Sequence, residues 1–379
     1  MADKTRSIFE EVGTTQKQVA TKGMIDAKGG GARGAIRAWL IAIFALVALM
    51  IAVGGLTRLT DSGLSITEWK PVTGALPPMS TAAWEVEFEK YKQIPEYQLQ
   101  NKGMSLSEFK TIFWWEWGHR QLGRVIGLVW AAGFAFFAIT RKIPTGWTGR
   151  LLLLGALGGL QGFIGWWMVS SGLEGSRLDV ASYRLATHLG LAFVIFGFLT
   201  WYILALSRRE ADLMQARRLA DPRLWMLSTL LLALAFVQIL LGALVAGIDA
   251  GRDYIDWPLM AGGFFPPDPF QLTPVWRNFF EDAGLVQFMH RIVGYVLFGF
   301  GVFVWWRARA SANTSTKFAF NLILAMLVLQ MLLGIITVMS SAPWHLAILH
   351  QIGAVVLWVL ILRARYLSRY PHKQSIQGA

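Results

Sequence analysis

Hydrophobic residues in this 379-residue chain are gathered into eight long runs, and polar residues occupy the segments between them. A helix needs about 20 consecutive apolar residues to cross the hydrocarbon core of a bilayer. The runs have about this length, so the pattern predicts eight transmembrane helices. Their predicted bounds are 38–56, 117–140, 151–169, 185–206, 224–248, 287–306, 318–339 and 346–362.

The composition agrees with a membrane protein and narrows the possible chemistry. Hydrophobic residues other than glycine make up 55% of the chain, above the roughly 45–50% that apolar residues including glycine make up in a typical soluble domain. The chain contains no cysteine, which excludes disulfides, thiolate metal ligands and cysteine nucleophiles. Any metal site must therefore be built from histidine and carboxylate side chains.

Positive charge is distributed unevenly along the chain, whose formal net charge is +12. Lys and Arg concentrate in the tails 1–35 and 367–379 and in the loops after the second, fourth and sixth predicted spans. Short cytoplasmic loops carry such an excess, so both termini are predicted to be cytoplasmic. Basic segments can also bind nucleic acid, but membrane topology accounts for their positions, and no nucleic-acid partner is expected.

The N-terminal segment 1–35 contains charges of both signs and no apolar core, unlike a signal peptide or a transit peptide. We interpret it as a cytoplasmic tail. The expected location is a bacterial inner membrane, with the mitochondrial inner membrane as the alternative.

The sequence contains an internal repeat. The segment "GGLTRLTDSGLSITEWKPVTGALPP" aligns on "GALVAGIDAGRDYIDWPLMAGGFFPP", without gaps as far as the shared Trp, and "HRQLGRV" matches "HRIVGYV" further along. The paired positions include Gly54/Gly242, Asp61/Asp249, Trp69/Trp257, His119/His290, Gln161/Gln330 and Gly165/Gly334.

Because four spans return the chain to its starting side, the two copies have the same polarity, and an axis along the membrane normal should relate them. The predicted fold is all-α, with two tandem, pseudo-two-fold-related four-helix bundles. The bundles span 36–208 and 224–366, and a cytoplasmic linker, 209–223, joins them. A long outer loop, 59–116, belongs to the first bundle.

Four of the six histidines occupy paired positions in the repeat. His119 and His290 begin the second helix of each bundle, and His188 and His350 lie near the start of the fourth. One histidine from each of two facing helices can hold a haem iron by both axial positions. A single histidine between helices often only forms a hydrogen bond and has no ligand. Four histidines at paired positions of a repeat are poorly explained in this way.

Small residues near these histidines favour a large, flat ligand. Gly123 and Gly294 lie one helical turn after His119 and His290, on the same helix face. Zinc is the competing ligand, but it favours three or four protein ligands at one centre. Two histidines in each bundle suit haem better.

Three arginines accompany the histidines. Arg120 and Arg291 directly follow His119 and His290, and they are expected either to bind haem propionates or to extend to the interface as snorkelling side chains. Arg124 lies one turn deeper and needs a partner, such as Glu116 or a propionate.

The repeat differs in charge just before the histidines. Glu116 lies three residues before His119, whereas Gln287 holds the same position before His290. A carboxylate in one copy only indicates a task that only the first bundle performs.

The motifs "GGLTRLTDSGLSITEWKPVTGALPP", "EWGHRQLGR" and "LHQIG" resemble those of the haem A synthases of bacteria and mitochondria. The absence of cysteine makes the chain more similar to the cysteine-free branch shared by proteobacteria and mitochondria. The resemblance implies oxidation of the C8 methyl of haem O, by successive hydroxylation, to the formyl group of haem A for cytochrome oxidase. It also implies a resident haem b in one bundle and the substrate haem in the other.

With this resemblance and the Glu116 asymmetry, His119 and His188 are assigned to the substrate iron, and His290 and His350 to haem b. Glu116 would stabilise positive charge and accept protons during methyl oxidation. The implied partners are the lipid bilayer, haem O synthase as substrate donor, cytochrome oxidase assembly factors, an electron acceptor or donor, and a possible second copy of the chain.

Two other functions agree with the residues alone. A dihaem cytochrome b that only carries electrons would also use symmetric bis-histidine sites. A haem exporter or chaperone would need a site that releases its ligand.

Overall fold

The structure is a computed structural model that describes residues 32–175 and 177–374. The predicted tails therefore lie partly outside the described residues, as 1–31 and 375–379. In the described residues the α-helices are, in chain order, α1 (Arg33–Leu59), α2 (Thr81–Tyr91), α3 (Pro95–Leu99), α4 (Leu106–Ile139), α5 (Thr148–Ser170), α6 (Ser182–Leu206), α7 (Glu210–Arg217), α8 (Pro222–Gly247), α9 (Asn278–Glu281), α10 (Ala283–Ala308), α11 (Thr314–Met339) and α12 (Trp344–Arg369).

Eight of these helices are long and apolar enough to cross a membrane, which confirms the predicted all-α class and the predicted number of spans. They are α1, α4, α5, α6, α8, α10, α11 and α12. The pseudo-two-fold relation, the domain bounds and the cytoplasmic termini stay predictions.

Capping residues, rather than hydropathy, set where several helices begin. The helix α4 begins at Leu106, well before the predicted 117, because Ser105 and Glu108 form a capping box. Its first three turns are amphipathic, with Phe109 and Phe113 buried, and lie in the segment that was predicted as loop. Glu116 and His119 are consequently both inside the helix.

The eight long helices group by their contacts into two sets of four. In the first set, α1 packs on α4 and α6, and α5 packs on α6 and less extensively on α4. In the second, α8 packs on α10 and α12, and α11 packs on both of these. The sets meet where α6 contacts α8 and α12, and where α1 contacts α12.

Tight apolar packing is concentrated at the end of the bundles where α1 begins and α12 ends. The largest buried cluster combines residues such as Leu40, Phe137, Leu199, Leu231 and Ile361 from both sets. The paired histidines lie toward the opposite ends of their helices. The helices are thus packed tightly at one end, and at the other end polar and small residues replace the apolar core.

The first outer loop is folded rather than irregular. Its helices α2 and α3 pack on the start of α4 through an aromatic cluster that includes Trp84, Phe88, Tyr91, Phe109 and Phe113. This unit, which we call the outer cap, covers the first set of helices. The second outer loop, 248–282, is shorter and contains only α9 and two 3₁₀ turns.

Candidate functional site

The histidines of the second set face each other. The ring centroids of His290 on α10 and His350 on α12 are 6.4 Å apart, and the ring planes are inclined by 83°. Metal–nitrogen bonds are about 2.0–2.1 Å long, so this separation has room for one metal ion between the rings. Nδ1 of His350 is buried without a hydrogen-bond partner, as expected if a ligand normally completes the site.

The first set brings its own two histidines together. His119 on α4 and His188 on α6 lie within electrostatic reach of each other. In the described ranges 32–175 and 177–374, no group of three or more His, Asp or Glu side chains could hold a metal ion. The donor set therefore suits a ligand that brings its own equatorial donors, as a porphyrin does, better than zinc.

A glycine of a neighbouring helix lies against each imidazole. A Cβ on Gly54 would lie 3.2 Å from Nε2 of His119, and one on Gly165 would lie 2.9 Å from Cε1 of His188. The paired Gly242 and Gly334 stand in the same relation to His290 and His350, with a distance of 3.1 Å in each case. A larger residue at any of these four positions would push the ring out of place.

The two glycines expected from the sequence to line the ligand face the first helix of each set instead. A Cβ on Gly123 would lie 3.4 Å from Cε of Met50, and one on Gly294 would lie 3.2 Å from Nε2 of Gln238. Gly54, Gly165, Gly242 and Gly334 could have been found from the repeat, which conserves all four beside the paired histidines.

Glutamines contact two of the histidines, and sequence reasoning did not assign them a role. Nε2 of Gln161 lies 3.2 Å from both ring nitrogens of His188 and donates to the His188 carbonyl at 3.0 Å. Nε2 of Gln238 does the same at His290, at 3.1 and 3.3 Å from the ring nitrogens and 3.0 Å from the carbonyl. The Oε1 atoms of both glutamines are buried without a partner. Each site thus contains an amide group whose oxygen is free to bind a ligand.

The arginines that follow His119 and His290 bind the outer loops. Arg120 donates to the carbonyls of Ile66 and Glu68 at 2.8 and 3.1 Å. Arg291 donates to the paired carbonyls of Tyr254 and Asp256 at 2.8 and 3.0 Å, and to that of Leu259 at 3.0 Å. The same guanidinium positions therefore fasten both loops over their sites.

Glu116 is 2% exposed and has three partners. Its Oε2 accepts from the Ser65 hydroxyl and the Ile66 N–H, both at 2.7 Å, and its Oε1 accepts from Arg120 at 2.6 Å. The paired Gln287 instead donates to the carbonyl of Tyr254 at 3.1 Å. Among the described residues, only the first set has a carboxylate at this position, which bonds to the loop and pairs with the arginine on its own helix.

Arg124 also binds the loop. It donates to the carbonyls of Pro71 and Lys70 at 2.9 and 3.1 Å and to Oε1 of Gln121 at 2.8 Å. In the second set Tyr295 replaces it and accepts from Trp257 Nε1 at 2.8 Å. The two residues are chemically different, but each connects the second helix of its set to the loop.

A buried carboxyl lies inside the outer cap. Glu96 on α3 is 3% exposed, and its Oε2 has no hydrogen-bond partner. Burial raises its pKa to about 8, and the nearby negative charges of Asp179, Glu116 and Asp61 act in the same direction. The outer cap therefore holds a carboxyl that is mostly protonated at neutral pH.

The chain is similar to known proteins over almost its whole length. Residues 37–362 match the family of cytochrome oxidase assembly proteins. The chain is similar to proteins named heme A synthase from several bacteria. It is 67% identical to that of Ruegeria sp. (strain TM1040) over 98% of this chain and 99% of the relative. For Dinoroseobacter shibae the values are 65%, 99% and 99%, and for Paracoccus denitrificans 60%, 98% and 98%.

We expect the stability of the outer cap to fall as the pH rises from about 5 to about 8. The pKa of Glu96 is raised from 4.5 to about 8 in the folded state, so over this range the folded cap retains a proton that the unfolded cap has released. The destabilisation is on the order of 3 kcal/mol. Hydrogen–deuterium exchange of segment 81–105, corrected for the intrinsic rate at each pH, measures it.

Glu96→Gln should make the protection of the outer cap nearly independent of pH, because the amide cannot ionise. Glu89→Gln is the matched control, since Glu89 is exposed and pairs with Lys92. Equal pH dependence in the wild type and in Glu96→Gln would show that Glu96 is ionised throughout.

Proposed function

This chain belongs to the haem A synthase family, and we propose how its two histidine pairs divide the oxidation of haem O to haem A. It is an oxidoreductase acting on haem O. The observation that carries the proposal is the pair of equivalent sites, each with two histidines and a glycine against each imidazole. The reaction proposed is successive hydroxylation of the C8 methyl group to a formyl group.

His290 and His350 are the proposed ligands of a resident haem b. Their 6.4 Å ring separation and the unpartnered Nδ1 of His350 support this. When bound, haem b would supply one-electron transfer. Gly242 and Gly334 keep the rings accessible, and Arg291 holds the loop that shields the site from water.

His119 and His188 are the proposed ligands of the substrate haem. A substrate has to enter and its product has to leave, whereas a resident cofactor can stay enclosed. The contacts between the second and third helices differ between the two sets in a way that supports this assignment.

Trp130 of α4 contacts Gly155 of α5, and three exposed glycines lie one or two turns further along the same helix faces, a line that we call the α4–α5 seam. They are Gly127, Gly158 and Gly162, and a Cβ on any of them would meet nothing within 4 Å. The repeat pairs them with Phe298, Leu327 and Met331. The first set therefore has open space where the second has large side chains.

The second set is closed at the corresponding place. Leu327 is 3% exposed, and a Cβ on Gly301 would collide with it. In the first set Trp130 takes the place of Gly301 and packs on Gly155, nearer the tightly packed end. The α4–α5 seam thus offers a lateral passage between His119 and the lipid.

Glu116 and Arg120 are proposed to serve the oxidation as one ionic unit. They lie within one turn of His119, and the paired position in the other set carries no charge. A carboxylate at this edge can stabilise positive charge that develops on the substrate and accept a released proton. The positive charges of Arg120, Arg124 and Arg291 would attract the negatively charged propionate groups at the edges of the haems.

The membrane setting completes the proposal. The chain is a multi-pass membrane protein with bacterial relatives. We place it in the bacterial inner membrane with cytoplasmic termini, because its basic segments lie on the side of the termini. The proposed partners are a haem O synthase as substrate donor, cytochrome oxidase assembly factors and an electron acceptor or donor.

His290→Ala and His350→Ala should each remove most of the haem b absorbance from the purified protein, because each removes one axial ligand. His345→Ala is the control, since His345 begins α12 beside Trp344 and has no paired histidine. Survival of the haem b spectrum in both variants would refute the pairing.

Filling the α4–α5 seam with the residues of the second set should block the substrate. Gly158→Leu combined with Gly162→Met is expected to lower haem A in cells at least tenfold and to leave haem b content unchanged. Ala156→Leu adds similar bulk on the exposed face of α5 as the control. Wild-type haem A in the double variant would exclude the seam as the passage.

Glu116→Gln should leave both haem sites able to bind and lower haem A production at least tenfold, with the hydroxylated intermediate accumulating. The amide preserves shape but removes the charge that pairs with Arg120. Mass analysis of extracted haems measures substrate, intermediate and product together. Glu89→Gln serves as the control, and wild-type amounts of haem A in Glu116→Gln would leave Glu116 with a structural role only.

A further inference from the structure

A hydrogen bond beside His350 connects the helix that carries this histidine to the first set of helices. Gln351, the next residue on α12, donates from Nε2 to the carbonyl of Ile51 on α1 at 2.7 Å. Ile51 is 4% exposed, so the acceptor of this partly buried bond lies within the contact between the two sets. No other residue of the paired motif "LHQIG" forms a side-chain hydrogen bond to the first set in the described part of the chain.

Two adjacent glycines make this contact possible. A Cβ on Gly55 would collide with the Gln351 amide, so only glycine lets this side chain reach the backbone of α1. A Cβ on the preceding Gly54 would lie 3.2 Å from Nε2 of His119. Gly54 thus contacts His119 of the first histidine pair, and the adjacent Gly55 contacts Gln351, the residue after His350 of the second pair.

The repeat has no such bond at the paired position. Leu189 stands in place of Gln351, and Ala243 in place of Gly55. Leu189 packs against the apolar cluster that contains Ala243. A hydrogen bond needed only to hold helices together would be as useful in both copies. At the paired contact between Leu189 and the cluster of Ala243, apolar packing holds the helices together.

We infer that Gln351 is a positioning residue that couples the two histidine pairs through α1. A ligand held by His119 displaces α1 at Gly54, and the Gln351 amide carries this displacement to α12 at His350. Occupancy of the first site then changes the reduction potential of the haem held by the second. This inference rests on the proposed function, in which His290 and His350 hold haem b.

The potential of haem b in the purified holoprotein tests the coupling. Zinc protoporphyrin, which is not reduced in the range of haem b, is the probe for the first site. We expect saturating probe to shift the midpoint potential of haem b in the wild type. Reciprocity requires that reducing haem b change the affinity for the probe by the same factor.

Two variants remove the bond in different ways. Gln351→Met keeps the shape of the side chain without a donor, and Gly55→Ala pushes the amide away from Ile51. Each should keep haem b and reduce the probe-induced shift at least threefold, and the double variant should show no further loss. Gly299→Ala is the matched control, because a Cβ there meets nothing within 4 Å.

A wild-type shift that persists in both single variants would overturn the inference, as would a wild-type potential that does not respond to saturating probe. Purified wild-type protein without haem b would overturn the proposed function itself, which distinguishes the two failures.

Discussion

The arginine that follows the histidine on the second helix of each set fixes the outer loop to the site below it. A loop at the membrane edge has carbonyl groups that need donors, and an arginine at that depth needs acceptors. Arg120 and Arg291 satisfy both needs with the same paired carbonyls. Because each arginine is bonded to its histidine through one peptide unit, loop position and histidine position cannot vary independently.

Buried charge also holds the two loops to each other. Arg58 at the end of α1 pairs with Asp61 at 2.8 Å and with Asp249, its counterpart in the other loop, at 2.9 Å. Asp179 lies 3.5 Å away on the same guanidinium. The repeat places Ala246 at the position of Arg58, so the single Arg58 guanidinium pairs with the aspartate of each copy. The outer ends are therefore joined by ion pairs and the other ends by apolar packing, and the histidines lie between them.

Sequence patterns predicted the helices and the histidine pairs because both are local or repeated signals. The apolar run length identified eight spans, and the repeat identified His119, His188, His290 and His350. The start of α4 was misplaced because the apolar run begins only near residue 117, whereas the Ser105 capping box begins the helix at Leu106.

Two of the residues that sequence reasoning missed lack a repeated counterpart of the same type. Gln238 is paired with Met50, and Gln351 with Leu189. The contacts of Arg120 and Arg124 with loop carbonyls could not be predicted either, because they depend on how a long segment folds back on the helix. The sequence showed that Gln238 and Gln351 differ from their counterparts in the repeat. Their roles became clear only from the contacts that these side chains make in the structure.

The difference between Glu116 and Gln287 depends on the loop as well as on the helix. In the first set the loop presents the Ile66 N–H and the Ser65 hydroxyl, which are donors, so an acceptor is required. In the second set the loop presents the Tyr254 carbonyl, so a donor is required. A carboxylate at 287 would face that carbonyl with two oxygens of like partial charge, and an amide at 116 would point one of its atoms at Arg120 without an ionic bond. The negative charge of Glu116 near His119 thus corresponds to the hydrogen-bond donors of the loop that covers it. The two copies differ both in the groups that the loop presents and in the charge on the helix.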